Sequence, residues 1–164
     1  MIRTVLLVAL ALALPACDAL DAQAEFREAA GRAPSGIFRT DDGVNPIGDE
    51  NDPDDWRTAP VYAGSFLVLQ RAHPNPARPD EAVALVFRIA TFNAFPGGLR
   101  LVAFAPDGRR QHIASLPEAT TAGTYDIQFY PGEVPFLAQG GLFRLILFDA
   151  NSEPVTYGDL LVER

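Results

Sequence analysis

The stretch AVALVFRIATFNAFPGGLRLVAFAPDGR, residues 82–109, decides the fold. Leu85, Phe87 and Ile89 alternate with Val86 and Arg88, and Leu99, Leu101 and Ala103 alternate with Arg100 and Val102. A period of two puts each set on its own face of a pleated strand. Phe95-Pro96-Gly97-Gly98 ends the first run and Pro106-Asp107-Gly108 the second. Asp107-Gly108 supplies residues that tolerate the positive φ of a tight hairpin.

The same rhythm extends in both directions. Residues 65–71, 110–116, 123–130, 142–149 and 155–163 are further short runs rich in Val, Ile, Leu, Phe or Tyr, separated by segments carrying Pro, Gly, Asn and Asp. Seven such runs predict an all-β chain folded as an antiparallel β-sandwich of about seven strands over residues 61–164. Leu145-Ile146-Leu147-Phe148 is apolar without a break. That pattern predicts a central strand covered on both faces, or an outer face that meets another protein.

Pro74-Asn75-Pro76 between the first two runs, Pro106-Asp107-Gly108-Arg109 after the third, and Gly140-Gly141-Leu142-Phe143 opening the sixth stand in an order that resembles the Ig-like domains of flagellar hook-capping proteins and of type IX secretion C-terminal sorting domains. The resemblance covers residues 64–163 and implies an Ig-like sandwich, with a sorting or adhesion role as an alternative. Two prolines flanking Asn75 predict a stiff corner where the chain passes between sheets without needing ladder donors.

The first residues carry an address. Arg3, an apolar stretch from Val5 to Leu14 and the small pair before Cys17 follow the order of a secretory signal, and the apolar stretch is about half of the roughly 20 residues needed to span a bilayer. Leu14-Pro15-Ala16-Cys17 resembles a bacterial lipobox, which implies removal of residues 1–16 and acylation of Cys17, the sole cysteine. An exported chain with one thiol must otherwise leave it free or pair it with another molecule. Two or three acyl chains give stable attachment where one is marginal. The expected address is the envelope of a Gram-negative-type cell, on the inner or outer membrane, facing the periplasm or the cell surface.

Residues 17–60 read as an acidic tether. Residues 18–30 are rich in Ala and Glu and predict a short helix, marginal alone, and residues 34–60 are rich in Pro, Gly and Asp. As a flexible coil this segment would hold the domain on the order of 35 Å from the membrane. The formal net charge is −8, and loss of the signal removes one more positive charge, so nucleic acid is excluded as a partner and anionic lipid is disfavoured.

Chemistry is sparse. The Gly-x-Ser-x-Gly, Walker, Gly-x-Gly-x-x-Gly, Cys-x-x-Cys and His-Glu-x-x-His patterns are absent from the sequence, and His73 and His112 read as a turn residue and a sheet-face residue. No catalytic residue and no cofactor is expected. Asp49, Asp52, Asp54 and Asp55 are weak Ca2+ candidates, because Ca2+ takes six to eight oxygen ligands, but their spacing departs from an EF-hand loop and a solvated acidic segment is the simpler reading. Phe38, Trp56 and Arg57 are weak candidates for partner docking, as aromatic anchors with a charged rim, or else pack on the chain's own domain. Tyr62, Tyr125 and Tyr157 read as sheet-face residues or as platforms for a carbohydrate. The sequence as a whole predicts a non-catalytic, lipid-anchored accessory subunit of a larger membrane-associated complex, with a surface binding module for carbohydrate or Ca2+ as the alternative.

Overall fold

A computed structural model describes residues 20–41, 44–48, 52–117 and 121–164. Seven strands are present: β1 (Phe66–His73), β2 (Val83–Ile89), β3 (Leu99–Phe104), β4 (Arg110–Leu116), β5 (Gly123–Phe129), β6 (Gly141–Asp149) and β7 (Pro154–Val162). They form an antiparallel sandwich of two sheets, ordered β1-β2-β5 and β4-β3-β6-β7. The expected runs coincide with these strands to within a residue or two. β4 pairs with β3, so the sheets divide as three and four strands.

The period of two explains what lies between the sheets. Leu85, Phe87 and Ile89 from β2 meet Leu99, Leu101 and Ala103 from β3, Phe143, Leu145 and Leu147 from β6, and Leu160 and Val162 from β7. Each large side chain taken fully from water contributes about 1.5–3 kcal/mol. β4 and β5 stand at sheet edges and are correspondingly more polar and exposed.

The described part of residues 17–60 differs from the expected free tether, because it packs along the sandwich. Residues 20–31 form a helix, α1, which lies on the outer face of the four-stranded sheet. Its side chains Phe26 and Ala30 are 2% and 3% exposed against Ile146 of β6 and Tyr157 of β7. Phe26 and Tyr157 approach to 5.1 Å between ring centroids. A helix this short gains its stability from such packing. The apolar run of β6 is thereby covered inside by the sandwich core and, at Ile146, outside by α1, while Phe148 stays half-buried. After α1 the described residues between 33 and 59 form a strap, whose backbone joins β7 through Trp56 N–H to Tyr157 O (2.6 Å) and Ala59 N–H to Val155 O (2.9 Å).

The Pro74-Asn75-Pro76 corner corrects one expectation. It returns the chain to the same sheet, since β1 and β2 are paired neighbours, instead of carrying it between sheets. Both X–Pro bonds there are cis. Before returning, the loop touches the far edge of the other sheet, where Ala77 bridges Val162. Asn75 is fully buried and uses every polar group: its main chain pairs with Thr40, its Nδ2 donates to Phe38 O and Asp159 O, and its Oδ1 accepts from Leu161 N. The corner therefore fastens the strap to β7.

Candidate functional site

Two places combine chemistry-bearing residues with unusual surroundings. The first lies beneath the strap. Arg144 of β6 and Asp159 of β7 are direct cross-strand partners, 4% and 0% exposed, joined by two parallel bonds from Nε to Oδ1 (2.7 Å) and from Nη2 to Oδ2 (3.0 Å). Arg144 Nη1 also donates to the carbonyls of Ala29 (2.7 Å) and Arg32 (3.2 Å), at the C-terminal end of α1. A cation is favoured there because the last carbonyls of a helix have no partner within it. Asp159 Oδ2 further accepts from the N–H of Ser35 and of Gly36 in the strap.

Asp55 completes this assembly. It is 1% exposed, and its two oxygens accept from Phe38 N (3.0 Å) and Asp159 N (3.0 Å). Removal from water, followed by repulsion from Asp159, pushes its carboxyl up to about 8. Of the four sequence candidates for Ca2+, Asp52 and Asp55 converge with Asp159, their oxygens lying within 4.8 Å of one another. Asp54 turns outward to Arg57 at 3.6 Å, and Asp49 lies outside the described residues. The oxygens of Asp55 and Asp159 already accept backbone and guanidinium N–H groups, so a cation would have to displace those bonds. The cluster is built to hold the strap.

Of the expected docking residues, Trp56 and Phe38 are turned inward and Arg57 is exposed. Trp56 is 3% exposed in the main core, which removes it as an exposed anchor. Phe38 is half-buried beneath the guanidinium of Arg71, whose Cζ stands 3.5 Å from the ring centroid. Arg57 is exposed yet lies over the rings of Phe26 and Tyr157, at 5.5 and 5.9 Å, and donates to Tyr157 Oη. Among the tyrosines, Tyr62 donates to Asp149 and packs on Phe95, Tyr125 stacks on Phe87, and Tyr157 is buried. His73 Nδ1 contacts Arg71 O, and His112 Nε2 contacts Ser115 Oγ at 2.8 Å on exposed β4. The bulge in the β3–β4 register brings these last two to one face, and among the described residues no carboxylate is bonded to the imidazole.

The second place belongs to the outer sheet face that the apolar run of β6 raises as a protein-contact alternative, but its β3 and β4 residues are not singled out by the sequence. α1 covers the β6 and β7 half of the outer sheet face, and the β4 and β3 half is bare. Two adjoining cavities of about 420 and 580 Å3 lie there and share Phe104, Phe148 and Ser152. Their floor is Val102, Phe104 and Phe148, all half-buried, with Ile146 beneath α1. Arg100, Arg110 and His112 form the outer rim, all exposed. Arg100 donates to Ser152 Oγ (3.0 Å), and among the described residues neither Arg100 nor Arg110 has a carboxylate partner. The available signal was the alternation in β3 and β6, which put Val102, Phe104, Ile146 and Phe148 on the face opposite the core.

Comparison with protein-family models, with curated proteins and with solved structures finds no match to this chain.

Proposed function

We propose that the protein is a non-catalytic, lipid-anchored envelope protein that acts as an accessory or stabilising subunit of a larger membrane-associated assembly, respiratory, transport or secretory. The observation that carries this reading is the half-covered outer face of the four-stranded sheet: an apolar floor with a charged rim, left open beside α1. An apolar centre within a polar margin is the anatomy of a protein contact surface. The lipobox resemblance at Cys17 supports a membrane address, and only two residues separate that cysteine from the first described residue of α1. The buried charged residues Asp55, Arg144 and Asp159 fasten the strap, which favours a role in contacts over one in turnover.

The test has two arms on the full chain from its native cells. Mass spectrometry of the mature N-terminus is expected to find an acylated Cys17, and extraction in mild detergent is expected to retain a stoichiometric integral or peripheral membrane partner. An unmodified Cys17 thiol on freely diffusing protein would overturn the anchored reading. A chain that is acylated but emerges from mild detergent as a monomer would overturn the subunit reading.

A further inference from the structure

We propose that the bare β4–β3 strip receives one amphipathic helix with an acidic flank, supplied by a partner protein. The inference rests on the accessory-subunit reading and names the chemistry of its partner.

The dimensions set the occupant. Strands are spaced about 4.8 Å apart, so four strands present a face about 19 Å wide, and a helix is about 10 Å wide with its side chains. α1 therefore occupies half of the sheet face, and the remaining half accommodates one further helix beside it at the usual interaxial distance of about 8–10 Å. The floor suits the apolar face of such a helix, because Val102, Phe104 and Phe148 are half-buried and line the open cavity. An extended segment would instead pair with the free edge of β4 and leave this floor uncovered.

The charge sets its flank. The chain carries a net charge of −8, yet the rim of this strip presents Arg100, Arg110 and His112. Arg110 is the cross-strand partner of Phe104, four residues along β3 from Arg100. At about 3.3 Å per residue the two guanidinium groups stem from points about 13 Å apart. A helix aligned with the strands rises about 1.5 Å per residue, so carboxylates about two turns apart on one flank meet both arginines. Arg27 and Arg32 of α1 lie on the opposite side of the strip, already paired with Glu153 and Glu28. The acidic flank accordingly faces β4.

Site-specific photocrosslinking in native cells tests this. A benzoylphenylalanine placed at His112 in the full chain is expected to give an adduct whose crosslinked peptide, identified by mass spectrometry, has apolar residues at helical spacing and acidic residues on one flank. Arg100→Glu with Arg110→Glu is expected to reduce that adduct at least tenfold, and Arg100→Gln with Arg110→Gln to reduce it less. Both side chains are exposed, so the melting temperature of each double variant is expected to match the parent. The same probe at Arg88, on the outer face of the other sheet, is expected to give no such adduct. Absence of the His112 adduct overturns the proposal, as does an adduct with phospholipid, with a second copy of this chain or with a peptide lacking acidic residues, or one unaffected by charge reversal. Membrane fractionation of the same cells reads the anchor separately: an adduct that persists on a chain found in the soluble fraction sustains the groove and overturns the anchoring.

Discussion

Arg144 shows what residue-by-residue reading misses. In the sequence it is the polar member of an alternating strand, a position that predicts solvent, and in the structure it is 4% exposed between β6 and α1. Its charge is matched by Asp159, fifteen residues later, and by two helix carbonyls, none of which has a local signature in the sequence. Arg144→Ala leaves Asp159 buried without its partner, and a loss of about 3–5 kcal/mol is expected in urea unfolding. Asp55 gives a pH signature. Its folded value of about 8 stands above the ordinary 3.8, so between about pH 4 and 8 the folded chain keeps a proton that the unfolded chain releases. The stability due to this group is full below that window and falls as pH rises through it, by at most about 1.4 kcal/mol per pH unit. Asp55→Asn is expected to flatten that slope relative to the parent when urea midpoints at pH 5 and pH 8 are compared.

At the scale of elements, the strands were legible and the coverings were not. A period of two marks a strand by itself, and turn residues mark its ends, so β1 to β7 follow from local pattern. α1 and the strap carry few apolar residues, and what orders them is the face of a sheet more than a hundred residues away in the chain. Phe26→Ala removes the largest contact of α1, and a loss of about 3–5 kcal/mol is expected. Hydrogen exchange should then show the amides of residues 20–31 opening while β6 stays protected. Trp56 is the matching anchor of the strap. Gly158 leaves the space its indole fills, and a methyl group at that position would collide with the ring. Gly158→Ala is expected to destabilise by about 1–3 kcal/mol, read in thermal unfolding. Trp56→Phe should cost less than Trp56→Ala, because the indole N–H has no acceptor among the described residues and the smaller ring keeps most of the packing.

Considered as a whole molecule, the chain holds its first described element against its last strand. α1 and the strap lie on β6 and β7, so the first packed element and the last strand share one small core of Phe26, Ala30, Ala59, Ile146 and Tyr157. If Cys17 is acylated as proposed, a flexible tether would place the sandwich on the order of 35 Å from the bilayer. With α1 docked, two residues separate Leu20 from Cys17, a reach of about 10 Å. Energy transfer from a dye on the sandwich to a labelled bilayer is expected to report the shorter separation, and Phe26→Ala to lengthen it. The fold class was thus readable from short-range alternation, and the candidate interface only once the chain's own N-terminal segment was seen to occupy half of that sheet.

The docked helix also governs how the molecule answers a pull. Were Cys17 fixed to a bilayer as proposed, tension would reach α1 first and pass to β6 through the bonds from Arg144 to Ala29 and Arg32. Release of residues 20–59 would unspool about 130 Å of chain at about 3.3 Å per residue. The docked segment is thus a reserve of length, released only when its hold on β6 and β7 gives way.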